Sequence, residues 1–108
     1  MDKNLDRSID KFIDAVKETS EYRNYKTKRH IVMDDPELRG KASKLIKEHY
    51  RILTTTADDQ LLDAEMEFAD KYEDTYNIPE IHDYLEAELR FNEMLQNVLE
   101  RITGGLSL

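Results

Sequence analysis

The sequence of 108 residues contains no cysteine and no tryptophan, and only three glycines and two prolines. Without cysteine the chain can form no disulfide, no thiolate zinc site and no cysteine-ligated iron–sulfur cluster, and it has no cysteine nucleophile. Few glycines and prolines mean few chain breaks, which favours long helices over a sheet. These absences exclude several cysteine-dependent functions and indicate an all-α fold.

Long apolar runs are absent as well, since no stretch of about 18 apolar residues is present that could span a membrane. The segment MDKNLDRSID (residues 1–10) is charged throughout and lacks the apolar core of a signal peptide. We therefore expect a cytoplasmic protein without membrane insertion.

Charged residues make up 37% of the chain, and the two signs are unevenly distributed. Residues 1–56 contain 13 Lys or Arg and 10 Asp or Glu, whereas residues 57–108 contain 3 and 14. The first half therefore carries +3 and the second half −11, within a net charge of −8. Length and composition predict a single helical domain over residues 1–108, and its net charge disfavours direct binding to nucleic acid.

Apolar residues recur at helical spacing and predict a bundle of about five helices. The first helix covers about residues 3–18, and the second begins at a Ser20 cap. The third runs to about Leu53 and the fourth to about Tyr76, separated by the turn-favouring TTTADD. The apolar stripe of the first helix, which we expect to face the core, consists of Leu5, Ile9, Phe12, Ile13 and Val16.

Two similar phrases, DDPEL (residues 34–38) and NIPEI (residues 77–81), predict the starts of the third and fifth helices. Each offers a capping side chain, Asp34 or Asn77, two positions before a proline that tolerates the first turn. The first phrase begins a basic helix and the second an acidic one. Their opposite charges can organise either the bundle or an oligomer.

The fifth helix extends from NIPEI to Thr103, where Gly104 is expected to adopt the left-handed conformation that closes a helix, before a short flexible tail at about 104–108. Its apolar pattern repeats every seven residues, which is typical of helices that pack lengthwise. About 25 helical residues span roughly 37 Å, whereas a compact domain of this length has a radius of gyration near 13 Å. The helix therefore overhangs its domain, and we predict a homodimer or a stable heteromer. The predicted partner-binding residues are Tyr84, Glu88, Phe91, Asn92, Leu95, Val98, Leu99 and Ile102.

Glu88 occupies a core position of this repeat, with Asn92 one turn later on the same side. A buried carboxylate needs a partner, because leaving it unpaired is costly. Two interpretations stay open: a bond within the chain to a Tyr hydroxyl or a basic side chain that fixes helix register, or a bond across an interface that selects the oligomer partner.

The phrases SEYRNY, DDPEL and IPEIHDYLEAELRFNEMLQNVLERI resemble, in that order, the YlbF/YmcA family of small all-helical bacterial regulatory proteins. Tyr84, Leu85, Ala87 and Glu88 match the Tyr-Leu-x-Ala-Glu phrase of that family's last helix. The resemblance implies a noncatalytic, cytoplasmic regulatory or accessory protein that assembles with itself and with related helical proteins. It also implies a role in RNA processing, competence, sporulation and biofilm formation, through a complex that assists a ribonuclease. Some relatives contribute cysteines to iron–sulfur clusters, and this chain has none.

The residues also raise three alternatives, of which the first is a metal site. A dinuclear metal site needs Glu-x-x-His pairs, but the residues three before His30, His49 and His82 are Thr27, Ile46 and Pro79. We therefore expect no metal site, and we also expect no cofactor and no catalytic residue.

The second alternative is a small chorismate-mutase-like enzyme. Such an enzyme would need several cations converging on a dicarboxylate, and these cations would come almost wholly from the basic half. The third alternative is RNA contact through the nine basic residues from Arg23 to Arg51.

Overall fold

A computed structural model describes residues 1–108 and contains six α-helices, one short 3-10 helix and no strand. The helices are α1 (Lys3–Lys17), α2 (Ser20–Asp34), α3 (Pro36–Thr55), α4 (Leu61–Lys71), α5 (Glu73–Tyr76) and α6 (Pro79–Gly105), with the 3-10 turn at Asp58–Gln60 before α4. The predicted all-α fold and long C-terminal helix are confirmed. The predicted fourth helix is divided at Tyr72 into α4 and the single turn α5.

The two proline phrases do begin helices, but the expected capping residues are wrong in both. At α3 the cap is Asp35, directly before the proline, whose carboxylate accepts from the amides of Glu37 and Leu38 over 2.9 and 3.2 Å. At α6 the cap position holds Ile78, whose side chain has no acceptor. Proline occupies the first helical position, so the residue immediately before it takes the cap and Asn77 falls one residue too early.

The main contact of the fold is between α2 and α6, which run antiparallel, with Tyr22 beside Phe91 and Val32 beside Ile81. Val32 and Ile81 are completely buried, together with Ala42 of α3, and Tyr84 closes the same cluster. We call α2, α3 and residues 79–91 of α6 the packed region. Here the apolar residues of three helices meet, as the helical spacing predicts.

Outside the packed region the protein is extended. The Cα radius of gyration is 17.4 Å and the principal dimensions are 49 × 37 × 21 Å, compared with roughly 13 Å expected for a compact chain of this length. Only 8 of the 108 residues are buried, and many large apolar side chains of the helices are exposed. The overhang predicted for the last helix is present.

Two segments, which we call the arms, account for much of this exposure: α1 and residues 92–105 of α6. The expectation that α1 faces the core is wrong, because it contacts only α2 and none of its residues is buried. Two residues, Glu18 and Thr19, separate α1 from α2, and beyond them α1 leaves the other helices. The apolar stripe that would bury it in a compact bundle therefore has no partner within the chain.

The end of α6 also differs from the expectation. The helix continues through Gly104 to Gly105, and no glycine has a positive φ. The left-handed conformation occurs instead at Ser107, with φ of 59°. None of the helices is long and apolar enough to cross a membrane.

Candidate functional site

The structure divides the predicted binding surface of α6 into two parts. Tyr84 and Phe91 contact α2: the ring of Tyr25 stacks on both, with centroid distances of 6.1 and 5.1 Å, and Tyr22 meets Phe91 edge-on at 5.7 Å. Their rings therefore belong to the packed region. Tyr84 is buried, and Phe91 is half-buried at the last turn of α6 that α2 covers.

The second part lies on the arm of α6. Leu95, Leu99 and Ile102 are exposed, Val98 is half-buried, and Asn92 faces solvent. These apolar positions fall on successive turns and form one stripe along residues 95–102. The stripe is available for a partner.

The two arms begin at the same level of the fold. Tyr22, in the first turn of α2, lies against Phe91, so α1 joins the bundle where α6 loses its cover. At 1.5 Å per residue, α1 and the arm of α6 each reach about 20 Å. Leu5, Ile9, Phe12 and Ile13 are exposed on α1. Their helical spacing predicts a core position for these four residues, but they are exposed because α1 makes no contact with α6.

Glu88 lies between Tyr84 and Phe91 on α6 and is half-buried. Burial raises the pKa of the neighbouring Tyr84 hydroxyl to about 12, and the negative charge of Glu88 adds to that rise. Glu88 takes part in no salt bridge. Its side chain lines a cavity.

This cavity has a volume of about 590 Å³ and lies between α3, α4, α5 and α6. Apolar and aromatic side chains form most of its wall, and the polar lining groups are His49 and three glutamates, Glu65, Glu73 and Glu88. The two short helices α4 and α5 leave a gap against α3 that they do not fill. The full lining is Leu45, Ile46, His49, Tyr50, Leu53, Glu65, Phe68, Ala69, Tyr72, Glu73, Tyr76, Leu85 and Glu88.

His49 packs against an aromatic neighbour in this wall. Its ring stacks on Phe68 at 4.7 Å, and Phe68 in turn lies 4.9 Å from Tyr72. Nε2 of His49 donates to the two carboxylate oxygens of Glu65 over 2.8 and 3.0 Å, since an ionised carboxylate can only accept. The pair joins α3 to α4.

The other two histidines serve local contacts. Exposed His30 pairs with Asp34 one turn later at 2.8 Å, and half-buried His82 meets Tyr76 edge-on at 5.0 Å. No group of three or more acidic or histidine side chains is placed to hold a metal ion.

Few ion pairs join the basic half of the chain (residues 1–56) to the acidic half (residues 57–108). Glu48 of α3 accepts from Nη2 of Arg51 at 2.9 Å and lies 3.6 Å from Nζ of Lys71 on α4. The Arg51 guanidinium holds the pKa of the Glu48 carboxyl below its usual value, and Glu48 raises the pKa of Arg51 in return. No salt bridge joins the basic segment to α6, whose one pair, Arg90–Glu86, lies within the helix. Apolar packing, rather than ion pairing, holds α2 against α6.

The cavity does not fit the enzyme alternative. A chorismate-mutase-like site would surround a dicarboxylate with cations, but no Lys or Arg lines this cavity and three glutamates do. Carboxylates of like sign would repel such a substrate.

Comparison with known proteins gives one match. The family model described as control of competence regulator ComK, YlbF/YmcA, matches residues 5–107. No curated protein and no solved structure matches the chain. The match includes the whole packed region and all but the first two residues of the arms, and its description is that of a regulatory family.

Proposed function

This chain belongs to the YlbF/YmcA family, and on that premise we propose that it is a noncatalytic regulatory or accessory protein that acts by helix packing with other proteins. Its partners in this proposal are a second copy of itself and related helical proteins. The observation that carries the proposal is the pair of arms, whose apolar stripes have no partner within the chain. The family's regulatory role supports protein partners over a substrate.

The physical argument begins with α1. Its side chains alternate between apolar and charged at helical spacing, and Asp2 caps its start by accepting from the amides of Asn4 and Leu5. Isolated helices of about 12–15 residues are marginal in water, because packing of an apolar face supplies most helical stability. A helix of 15 residues with no buried side chain therefore needs a partner to be stable.

The arm of α6 supplies the matching surface. Both arms start at the level of Phe91 and have similar lengths, so two copies related by a twofold axis can bring four arms together. Such an arrangement is a four-helix bundle, with the exposed side chains of α1 and α6 as its core. Arms of a related helical protein can replace those of the second copy, which accounts for assembly with itself and with relatives through one surface.

At the biological level we propose that this assembly modulates RNA processing as part of a ribonuclease-associated complex, with effects on competence, sporulation and biofilm formation. The family description, control of a competence regulator, supports the regulatory part of this proposal. The excess of negative charge supports a role through proteins rather than through direct binding of RNA.

The oligomeric state of the purified protein tests whether the apolar stripes of the arms bind a second copy. We expect the purified protein to sediment as a dimer or larger species at tens of micromolar, and Leu99→Asp or Ile9→Asp to give monomers with most of their helical content. Leu62→Asp is the matched control, because Leu62 is 72% exposed on α4, away from the arms. A wild-type monomer at tens of micromolar, or equal dissociation by Leu62→Asp, would contradict the proposal.

A tagged pull-down from cells at physiological salt tests the biological part. We expect the wild type and Leu62→Asp to capture a related helical protein or a ribonuclease in stoichiometric amount, as measured by mass spectrometry. Leu99→Asp should lose that capture. If the wild type and both variants recover only the protein itself, the assembly does not contain a related helical protein or a ribonuclease.

A further inference from the structure

The cavity between α3, α4, α5 and α6 combines two features that point to one chemical class of ligand. Its wall is mainly apolar and aromatic, and its charged lining groups are all carboxylates. Its volume of about 590 Å³ lies within the range of roughly 300–1,000 Å³ that small-molecule sites occupy. No residue of α1 and none of residues 92–105 lines it, so it is separate from the arms.

The aromatic wall is a row of rings in contact, the first pair stacked and the second tilted. His49, Phe68 and Tyr72 follow one another at centroid distances of 4.7 and 4.9 Å, and Tyr50 and Tyr76 line the same cavity. The faces of such rings carry partial negative charge and attract cations. Tyr72 already shows this attraction, because Nζ of Lys71 lies 5.5 Å from its ring centroid although Lys71 does not line the cavity.

The three carboxylates are not equivalent. Glu65 is held by His49, whereas Glu73 and Glu88 form no salt bridge. Glu73 comes from α5 and Glu88, which lies beside the Tyr84 hydroxyl, comes from α6. Two helices therefore place carboxylates on the cavity that pair with no Lys or Arg. With no Lys or Arg in the lining, the field inside favours a cation and opposes an anion.

We propose that this cavity binds a small organic ammonium ion with an apolar body. The ammonium group pairs with Glu88 or Glu73, and the apolar body packs against the rings of Phe68 and Tyr72. A neutral apolar molecule would gain only the second contact, and an organic acid would meet repulsion. Charge complementarity thus selects one class among the molecules that fit by size.

The test uses three probes that share a phenyl ring on a two-carbon chain and differ in charge: 2-phenylethylammonium, 2-phenylethanol and phenylacetate. Each is titrated into the full-length, isotope-labelled protein, and binding is followed by NMR shifts of the amides of residues 45–53, 65–76 and 85–88. We expect the ammonium ion to bind about tenfold more tightly than the alcohol, consistent with a cation over aromatic faces beside a carboxylate. Phenylacetate should cause no saturable shift.

Two conservative variants locate the charge. Glu88→Gln and Glu73→Gln keep size and shape, and at least one of them should reduce the preference for the ammonium ion over the alcohol severalfold. Glu93→Gln is the control, since Glu93 is exposed on α6 and does not line the cavity. Equal affinity for the ammonium ion and the alcohol, or an unchanged preference in both cavity variants, would overturn the proposal.

The same titration in Leu99→Asp separates this proposal from that of the arms. Saturable binding of the ammonium ion to a monomeric variant shows that the cavity is complete within one chain. Loss of binding in a variant that stays folded would show that a second copy completes the site, and that result would overturn the assignment of the ligand to a cavity formed by one chain.

Discussion

The packed region and the arms have similar apolar patterns in sequence but differ in solvent exposure. In the packed region Val32 and Ile81 are inaccessible to solvent, whereas Leu99, on the same helix as Ile81, is 53% exposed. Both ends of α6 follow the same seven-residue repeat. The two ends of α6 differ in the helix that packs against them. Helix α2 covers residues 79–91, whereas no helix of the same chain covers residues 92–105.

The comparison of α1 with α2 teaches the same lesson more sharply. The stripe of α1 is the clearer of the two in sequence, yet α1 has no buried residue, while α2 contributes fully buried Val32. Tyr22 and Tyr25 of α2 also contact α6. An apolar stripe indicates that a helix will be covered, but it does not say whether the cover belongs to the same chain.

The largest effect that separates the two regions is expected from large-to-small substitutions. Ile81→Ala removes buried methyl groups from the packed region and should lower the free energy of unfolding by about 2–5 kcal/mol. Leu99→Ala, on the arm, should leave the stability of a dilute sample nearly unchanged. Urea unfolding followed by circular dichroism at 1 and at 50 μM measures both variants.

The protein concentration supplies the control. Ile81→Ala should be destabilised at both concentrations, whereas the effect of Leu99→Ala should grow at the higher one, where arms associate. If Leu99→Ala cost as much as Ile81→Ala at 1 μM, the division into a packed region and arms would be wrong.

A second effect, of up to about 2–3 kcal/mol, comes from alkaline pH. The pKa of Tyr84 is raised from 10 to about 12, so the folded state keeps a proton that the unfolded state loses in this range. Its contribution to stability is fully present below pH 10 and is lost as the pH rises towards 12. Tyr84→Phe removes the group that titrates, so its unfolding free energy should match that of the wild type at pH 8 and exceed it at pH 12.

Tyr50→Phe is the matched control for this pH dependence. It removes the same phenolic hydroxyl as Tyr84→Phe, but at an exposed position. Urea unfolding at pH 8, 10 and 12 should give Tyr50→Phe the slope of the wild type. If Tyr84→Phe shared that slope, Tyr84 would titrate like a surface group and the packed region would be as open as the arms.

Much of the fold was predictable from sequence, because it depends on local signals. Helical spacing, the proline phrases and the TTTADD break predicted five helices with ends within a few residues of those observed, but not the split of the fourth helix at Tyr72. The exposure of α1 was not predictable, because it depends on the path of the two residues between α1 and α2. The cavity was also missed, since Glu73 and Glu88 lie far apart in sequence and meet only through the turn before α6.

The smallest effect compares two helix caps of nearly identical geometry, one in each region. Asp2 accepts from the second and third amides of α1 over 2.8 and 3.0 Å, and Asp35 does the same for α3 over 2.9 and 3.2 Å. Replacing such a cap by Ala costs about 1 kcal/mol of helix stability. Because α3 is part of the packed region, Asp35→Ala should lower the global unfolding free energy by that amount.

Asp2→Ala should instead act locally, because α1 shares almost no packing with the other helices of its chain. Hydrogen exchange of the dilute protein should show faster exchange within α1 and unchanged protection at Val32 and Ile81. Asn77→Ala is a further control. The Asn77 side chain caps no helix, so the global stability of this variant should match that of the wild type. If Asp2→Ala weakened protection at Val32 as strongly as Asp35→Ala does, α1 would be coupled to the packed region within one chain, and its stripe would no longer require a partner.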